Sequence, residues 1–270
     1  MPKSRLDLLL VARGLAESRT RAQALIMAGL VYCGEQKLDK AGAEFPEDME
    51  ITVRGREHPW VSRGGVKLAH ALTHFNLDVK GAVALDVGAS TGGFTDVLLT
   101  QGAAKVYAVD VGHGQIDVKL RNDPRVVVME NTNARHLTAE MIEATESGQS
   151  GAACAPLIFD IITCDASFIS LKKVLPAALA LAKPGARLVT LIKPQFEVGK
   201  VEVSRGKGVI RDPALHHAVC EDIKTWIAGQ GWQVQGLTIS PITGPKGNVE
   251  FLLVAVRDPT SKPEPLGTTY

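Results

Sequence analysis

The chain has 270 residues, 45% of them hydrophobic and 22% charged, with a formal net charge of +1. This is ordinary for a soluble globular protein of one large domain, or a large one plus a small one, and no global basic field announces nucleic acid. Charge has to be read locally.

The four cysteines are Cys33, Cys154, Cys164 and Cys220, and none forms a Cys-x-x-Cys pair. Neither a zinc site nor a disulfide framework is indicated; free thiols in a reducing cytosol are expected, hence a cytoplasmic protein. The apolar residues 8–12 are bracketed by Asp7 and Arg13, too short and too charged for a signal segment. The apolar stretch 179–192 is broken by Lys183, Pro184 and Arg187, so no bilayer span and no membrane partner are expected.

Residues 1–60 read as a unit of their own. Leu6, Leu9 and Leu10 repeat at helical spacing. Ser18 caps a second helix over 19–28, with Ala22, Leu25 and Ile26 on one face, and Gly29 stops it. Residues 30–34 read as a short strand and turn, and 51–53 as a second strand. The first thirty residues carry five basic side chains against two acids. Arg5, Arg19 and Arg21 could therefore form a phosphate-binding face on two packed helices, although charge alone favours a solvated helical face. The order of residues shifts that weighting. Arg5-Leu6-Asp7-x-x-Leu, then Ser18-Arg19-x-x-Ala22-x-x-Leu25-Ile26-x-x-Gly29-x-Val31, resembles the small RNA-binding domain typified by a small-subunit ribosomal protein, the alpha-L motif. Tyr32-Cys33-Gly34 departs from the family's usual turn, away from the basic face.

Residues 58–65, with a proline and paired glycines, mark a domain boundary. A helix over 67–75 follows, with Leu68, Ala71 and Leu72 on one side. His70 and His74 stand at i, i+4, but no third ligand follows at a recognisable spacing, so a helix surface is expected and no metal.

From residue 83 strand and helix patterns alternate. Strands are predicted at 83–87, 105–111, 126–129, 157–164, 187–192, 233–239 and 249–256. Helices are predicted at 94–100, 139–145 and 171–182, with another opened by Pro213. A Gly/Ser/Ala linker spans 147–155, a long polar loop spans 194–212, and the tail 258–270 is expected to be flexible. The pattern predicts an α/β, Rossmann-like seven-stranded sheet, mainly parallel, with an antiparallel last strand and a small α+β domain before it.

In such a sheet ligands bind outside the carboxyl ends of the strands. Asp86, Asp110, Asn133, Asp165 and Lys193 fall at such ends, and the antiparallel last strand brings Glu250 to the same edge. The turn holding Gly88, Ser90, Gly92 and Gly93, with Asp110 after the next strand, matches a dinucleotide-type fingerprint in which the acid binds ribose hydroxyls. Its glycines would let backbone approach a ligand closely. Nicotinamide and S-adenosylmethionine proteins share this pattern. Ser90 replaces the glycine a pyrophosphate would need, and the final strands read as a terminal hairpin; both features favour the methyl donor.

Asp86-Val-Gly-Ala-Ser-Thr-Gly-Gly-Phe-Thr95, Val109-Asp110-Val-Gly, Cys164-Asp165-Ala-Ser-Phe, Leu191-Ile-Lys193-Pro-Gln-Phe-Glu197 and Asn248-Val-Glu250 together resemble the TlyA/hemolysin A family of ribosomal RNA methyltransferases. With the first domain, the resemblance covers nearly the whole chain. It implies an FtsJ-like 2′-O-methyltransferase domain at 61–257 after an RNA-binding domain at 1–60. It also implies a catalytic tetrad on Lys67, Asp165, Lys193 and Glu250, S-adenosylmethionine as cofactor, and ribosomal RNA or ribosomal subunits as partner, with cytidine as the target. The physics agrees. A ribose 2′-hydroxyl is a poor nucleophile and needs its proton removed. A lysine does this only when neutral, a form favoured by desolvation and by the second ammonium of Lys67; Asp165 and Glu250 oppose that shift but hold the lysines in line. Transfer from sulfonium to oxygen then rests mostly on positioning.

Gly88, Ser90 and Gly93 would lie under the donor's methionine end, Asp110 would hold its ribose and Asn133 its adenine amine. Asp86 would organise the loop or meet the donor's amino group. Arg205, Lys207 and Arg211 are candidate RNA contacts. The competing readings are a nicotinamide-dependent oxidoreductase and, from the family's older name, a membrane-acting cytolysin.

Overall fold

The computed structural model describes residues 2–16, 18–53, 58–147, 159–244 and 246–260. The chain divides into two compact units, Met1–Pro59 and Trp60–Tyr270.

The first unit runs β1 (Lys3–Arg5), α1 (Leu6–Ala12), α2 (Arg19–Met27), β2 (Val31–Cys33), β3 (Gln36–Lys37), β4 (Glu44–Pro46) and β5 (Thr52–Val53). Ser18 caps α2 by accepting the Arg21 backbone N–H. Leu6, Leu10, Ala22, Ile26 and Val31 are each at most 1% exposed and form its core. Burying a leucine of this kind contributes about 2 kcal/mol. β2 pairs antiparallel with β3 and β5, and β1 with β4. The sequence reading misses β1, β3 and β4, because two or three residues cannot display an alternating pattern.

The second unit contains α3 (Gly64–His74), β6 (Val83–Val87), α4 (Gly93–Thr100), β7 (Lys105–Val109), α5 (Val118–Arg121), β8 (Val126–Met129), α6 (Ala139–Ser147), β9 (Phe159–Cys164), α7 (Leu171–Ala180), β10 (Ala182–Ile192), α8 (Pro194–Glu197), α9 (Lys200–Arg205), α10 (Pro213–Gly229), β11 (Trp232–Ile239) and β12 (Phe251–Arg257). The seven strands form one sheet of order β11-β12-β10-β9-β6-β7-β8. β12 alone runs antiparallel to both neighbours.

Side chains alternate between faces along a strand. Leu85 and Val87 enter a core shared with α7 and α10, while Ala84 enters the core on the other face, with Leu68 of α3 and Leu98 of α4. Leu98 is fully buried, so Leu98→Ala would leave a cavity and cost about 2–5 kcal/mol.

Three expectations are corrected. The segment 194–212 is not a loop throughout, since it holds α8 and α9. α3 begins at Gly64, inside the stretch read as a junction. β10 begins at Ala182, where the sequence predicts a helix end, and not at 187; its register against β9 shifts between Ala182 and Arg187. The expected linker, from residue 148 onward, and the tail beyond 260 lie outside the described residues.

Candidate active site

β6, β7 and β8 step across the sheet in one direction, whereas β9 and β10 lie on the other side of β6. The order therefore reverses between β6 and β9, and a crevice opens at the carboxyl ends there. Gly88, just past β6, sits so close to the segment after β9 that a Cβ on it would lie 3.0 Å from Ala166 Cα. A cleft of about 660 Å³ lies at this edge, lined by Gly88, Ser90 and Gly93 on one side and by Asp165, Lys193 and Glu250 among others. That volume suits a small-molecule site.

The sheet register explains the convergence. β9 and β10 are parallel, with Thr190 opposite Cys164, so Asp165 and Lys193 leave neighbouring strand ends. Ile192 pairs with Phe251 across the antiparallel β10–β12 ladder. One step beyond Ile192 is Lys193, and one step before Phe251 is Glu250. Lys67 reaches the same point from α3. Lys193 Nζ lies 2.6 Å from Asp165 Oδ1, in an ion pair whose angle falls outside a hydrogen bond. It donates to the Asp165 carbonyl oxygen at 3.1 Å and to Ser167 Oγ at 2.8 Å. Lys67 Nζ lies 2.6 Å from Glu250 Oε2 and 3.6 Å from Asp165 Oδ2. Two ammonium groups and two carboxylates thus alternate in a line, and both lysines and Glu250 are buried. Charges removed from water in this way need good mutual geometry to persist.

The glycines of the turn also make room for neighbouring parts of the chain. A Cβ on Gly93 would collide with Ser62 Oγ and come within 2.9 Å of the Gly65 nitrogen. Gly92 has no place on the cleft wall; it lies at the N-terminal cap of α4, and a Cβ there would strike Leu120. These glycines admit other parts of the chain. Asp86 likewise lies beneath the turn, fully buried, accepting hydrogen bonds from Thr95 Oγ1 at 2.7 Å and Thr163 Oγ1 at 3.0 Å. Burial pushes its carboxyl up to about 6, against the lowering effect of the two hydroxyls. Asp86 is therefore placed beneath the turn and off the cleft wall.

Asp110 follows β7 and ties the turn from outside. Its Oδ2 accepts the Ser90 N–H at 2.8 Å and its Oδ1 the Gly112 N–H at 2.7 Å. Ser90 takes a positive φ of 50°. Asn133 is exposed, lies off the cleft, and caps a short 3₁₀ turn by accepting the Arg135 N–H at 3.1 Å.

Arg205, Lys207 and Arg211 are all exposed, with Arg205 paired to Glu202 at 3.1 Å on α9. In the first unit, Arg5 and Arg19 reach the fully buried carboxylate of Asp7 at 3.0 and 2.9 Å, and Gln23 donates to it at 3.0 Å. The hydrogen bond from Arg5, with those from Gln23 and Arg19, holds Asp7 well below the usual carboxylate range despite its burial. Both arginines therefore brace the fold as well as facing solvent. Arg21 is exposed and has no ion pair among the described residues.

The sequence reading also passed over residues that line the cleft: Ser167, Phe168, Gln195, Phe196, Arg63 and Lys246. Phe168 is 89% exposed, and its ring lies 5.2 Å from that of Phe196. Among the described residues no cluster of His, Cys, Asp and Glu could hold a metal ion. The rings of His70 and His74 simply stack, with centroids 5.5 Å apart.

A doubly wound sheet closed by an antiparallel hairpin, with a Gly-rich turn at the switch point, defines the class of α/β methyltransferase folds. Comparison with known proteins narrows this. Residues 60–257 match the FtsJ-like methyltransferase family and residues 4–51 match the S4 domain. The chain is 46% identical over 252 residues to the 16S/23S rRNA (cytidine-2′-O)-methyltransferase TlyA of Mycobacterium tuberculosis, covering 93% of this chain and 89% of that one. It is 41% identical to Hemolysin A of Brachyspira hyodysenteriae, covering 92% of this chain and 98% of that one. A solved protein assigned as a hemolysin, from Streptococcus thermophilus, superposes with a TM-score of 0.70 at 39% identity, over 99% of this chain and 93% of that one. The chain belongs to the TlyA/hemolysin A family of FtsJ-like methyltransferases with an S4 domain. Among the described residues no helix is long and apolar enough to cross a membrane.

Proposed function

We propose that this chain transfers a methyl group from S-adenosylmethionine to a ribose 2′-hydroxyl of ribosomal RNA, with Lys193 as the final acceptor of the hydroxyl proton. The observation that carries the reading is the Lys193–Asp165–Lys67–Glu250 line, set beside the Gly-rich turn. The family supports the reaction class, and the mycobacterial relative's name supports cytidine as the target.

The residues present fit the donor. Gly88, Ser90 and Gly93 line the cleft beside the four charged groups. Asp110 is not on the cleft wall; each of its oxygens accepts one backbone N–H, from Ser90 and Gly112, and keeps a lone pair, to which we assign the donor's ribose hydroxyls. Bound there, S-adenosylmethionine supplies an electrophilic methyl group on sulfur. Lys193 Nζ removes the proton, Asp165 holds both lysines in register, and Lys67–Glu250 anchors Asp165 from behind. Positioning of this kind supplies much of a barrier reduction when the reacting groups are held in line. The exposed Phe168 ring offers a stacking face to an unstacked base, and Arg63, Lys246, Arg205, Lys207 and Arg211 offer charge to phosphates. The S4 domain, through Arg21 with Arg5 and Arg19, adds a second grip on RNA, and the substrate places the protein in the cytoplasm.

Mapping ribose methylation in ribosomal RNA with and without the protein tests the reading. New 2′-O-methylation at one or a few cytidines, dependent on S-adenosylmethionine, is the expected result; tight binding of NAD without S-adenosylmethionine, or vesicle leakage with no methyl transfer, would overturn it.

A further inference from the structure

Lys193 Nζ has three oxygen neighbours, namely Asp165 Oδ1, the Asp165 carbonyl oxygen and Ser167 Oγ. The three differ in what they can do. Carboxylate and carbonyl oxygens only accept hydrogen bonds, whereas a hydroxyl both accepts and donates. Two of them, the Asp165 carbonyl oxygen and Ser167 Oγ, are hydrogen-bonded to the nitrogen. A neutral amine also carries a lone pair, which needs an O–H donor. Of the three, only Ser167 can turn an O–H toward the nitrogen.

Exposure points to the same residue. The Lys193 side chain is 7% exposed, but Ser167 belongs to the exposed class, and both line the cleft. An incoming ribose therefore meets Ser167 Oγ at the open side of the ammonium. The next residue, Phe168, holds φ at 65°, a costly backbone for an aromatic residue, and its exposed ring stands at the same turn. Base and ribose of one nucleotide would thus address neighbouring residues.

We infer that Ser167 is a catalytic residue that relays the proton from the ribose 2′-hydroxyl to Lys193. This rests on the function proposed above and assigns a second group to that chemistry. As the bond from the methyl carbon to the 2′-oxygen forms, the carbon–sulfur bond breaks and its electron pair stays on sulfur. The 2′-hydroxyl proton passes to Ser167 Oγ, and the original Ser167 proton passes to Lys193 Nζ. The serine ends as it began, and the lysine, which enters the step as the neutral amine, ends protonated.

The test is single-turnover methyl transfer to ribosomal RNA by the parent protein, Ser167→Ala and Ser167→Thr, with donor and RNA binding measured alongside. Ser167→Ala should slow transfer about 100-fold, in the range of a lost acid–base group, while both binding constants stay within about threefold. Ser167→Thr keeps the hydroxyl and should restore most of the rate. A proton inventory on the parent protein in mixed light and heavy water reads the relay without any substitution, and it should curve because two protons move together. A Ser167→Ala rate within threefold of the parent, or a linear inventory, overturns the relay. Absence of transfer by the parent protein overturns the proposed function instead, so the two failures are distinguishable.

Discussion

Lys67 and Glu250 form a buried ion pair, 2.6 Å from Nζ to Oε2, with side chains 6% and 1% exposed. The pair joins α3 to the start of β12, elements 183 positions apart in the chain. Removing Lys67 leaves Glu250 buried without its counter-ion, and removing Glu250 leaves Lys67 only Asp165, 3.6 Å away; breaking a buried pair costs about 3–5 kcal/mol. Glu250→Ala and Lys67→Ala should each lower the urea midpoint accordingly. The double variant Lys67→Met/Glu250→Leu buries no charge and should recover most of that stability. It should still be unable to transfer a methyl group. Single variants that unfold at the parent midpoint would show that the pair is solvated.

Asp86 gives a pH signature. Its folded pKa, about 6, lies above the ordinary 3.8. The contribution it makes to stability is complete below the unfolded value and is lost as pH rises from about 4 through 6, by about 3 kcal/mol. Asp86→Asn cannot ionise. Its stability relative to the parent should therefore rise between pH 4 and pH 6.5, since the other carboxylates cancel in the comparison. Urea titrations at several pH values would show it, and a difference independent of pH would contradict the burial argument.

The first unit has its own core, built on Leu6, Leu10, Ile26 and Val31. The second unit has separate cores on both faces of its sheet. Removing residues 1–59 should therefore leave a folded chain that binds S-adenosylmethionine with unchanged affinity. Methyl transfer to ribosomal RNA should fall at least tenfold. Undiminished transfer would reject a substrate-delivery role for the S4 domain.

Much of this arrangement is legible in the residues. Asp165 and Lys193 follow apolar runs, and an antiparallel last strand necessarily returns Glu250 to the same edge. Lys67 is not legible this way, because its helix precedes the sheet, and only the family pattern singles it out. The glycines of the turn are ambiguous for a physical reason: a missing Cβ reads the same whether a ligand or the chain itself needs the space. At Gly93 it is Ser62 and Gly65 that need it. An Asn after a strand serves equally as a local cap or as a ligand donor, and the cap is the role visible at Asn133. Counting charges cannot reveal that Arg5 and Arg19 are tied to Asp7, a pairing made by the packing of α1 on α2. Ser167 and Phe168 lie in a quoted motif, but only the turn after β9 gives them their place on the cleft.

In the proposed reaction Lys193 serves chemistry and not cofactor binding. The most direct test is methyl transfer from labelled S-adenosylmethionine to ribosomal RNA by Lys193→Ala, with donor affinity measured on the same preparation. Transfer should drop by about 10³-fold or more, within the range of a lost general base, while donor affinity stays within about threefold of the parent. Transfer near the parent rate, or loss of donor binding along with activity, would contradict the account.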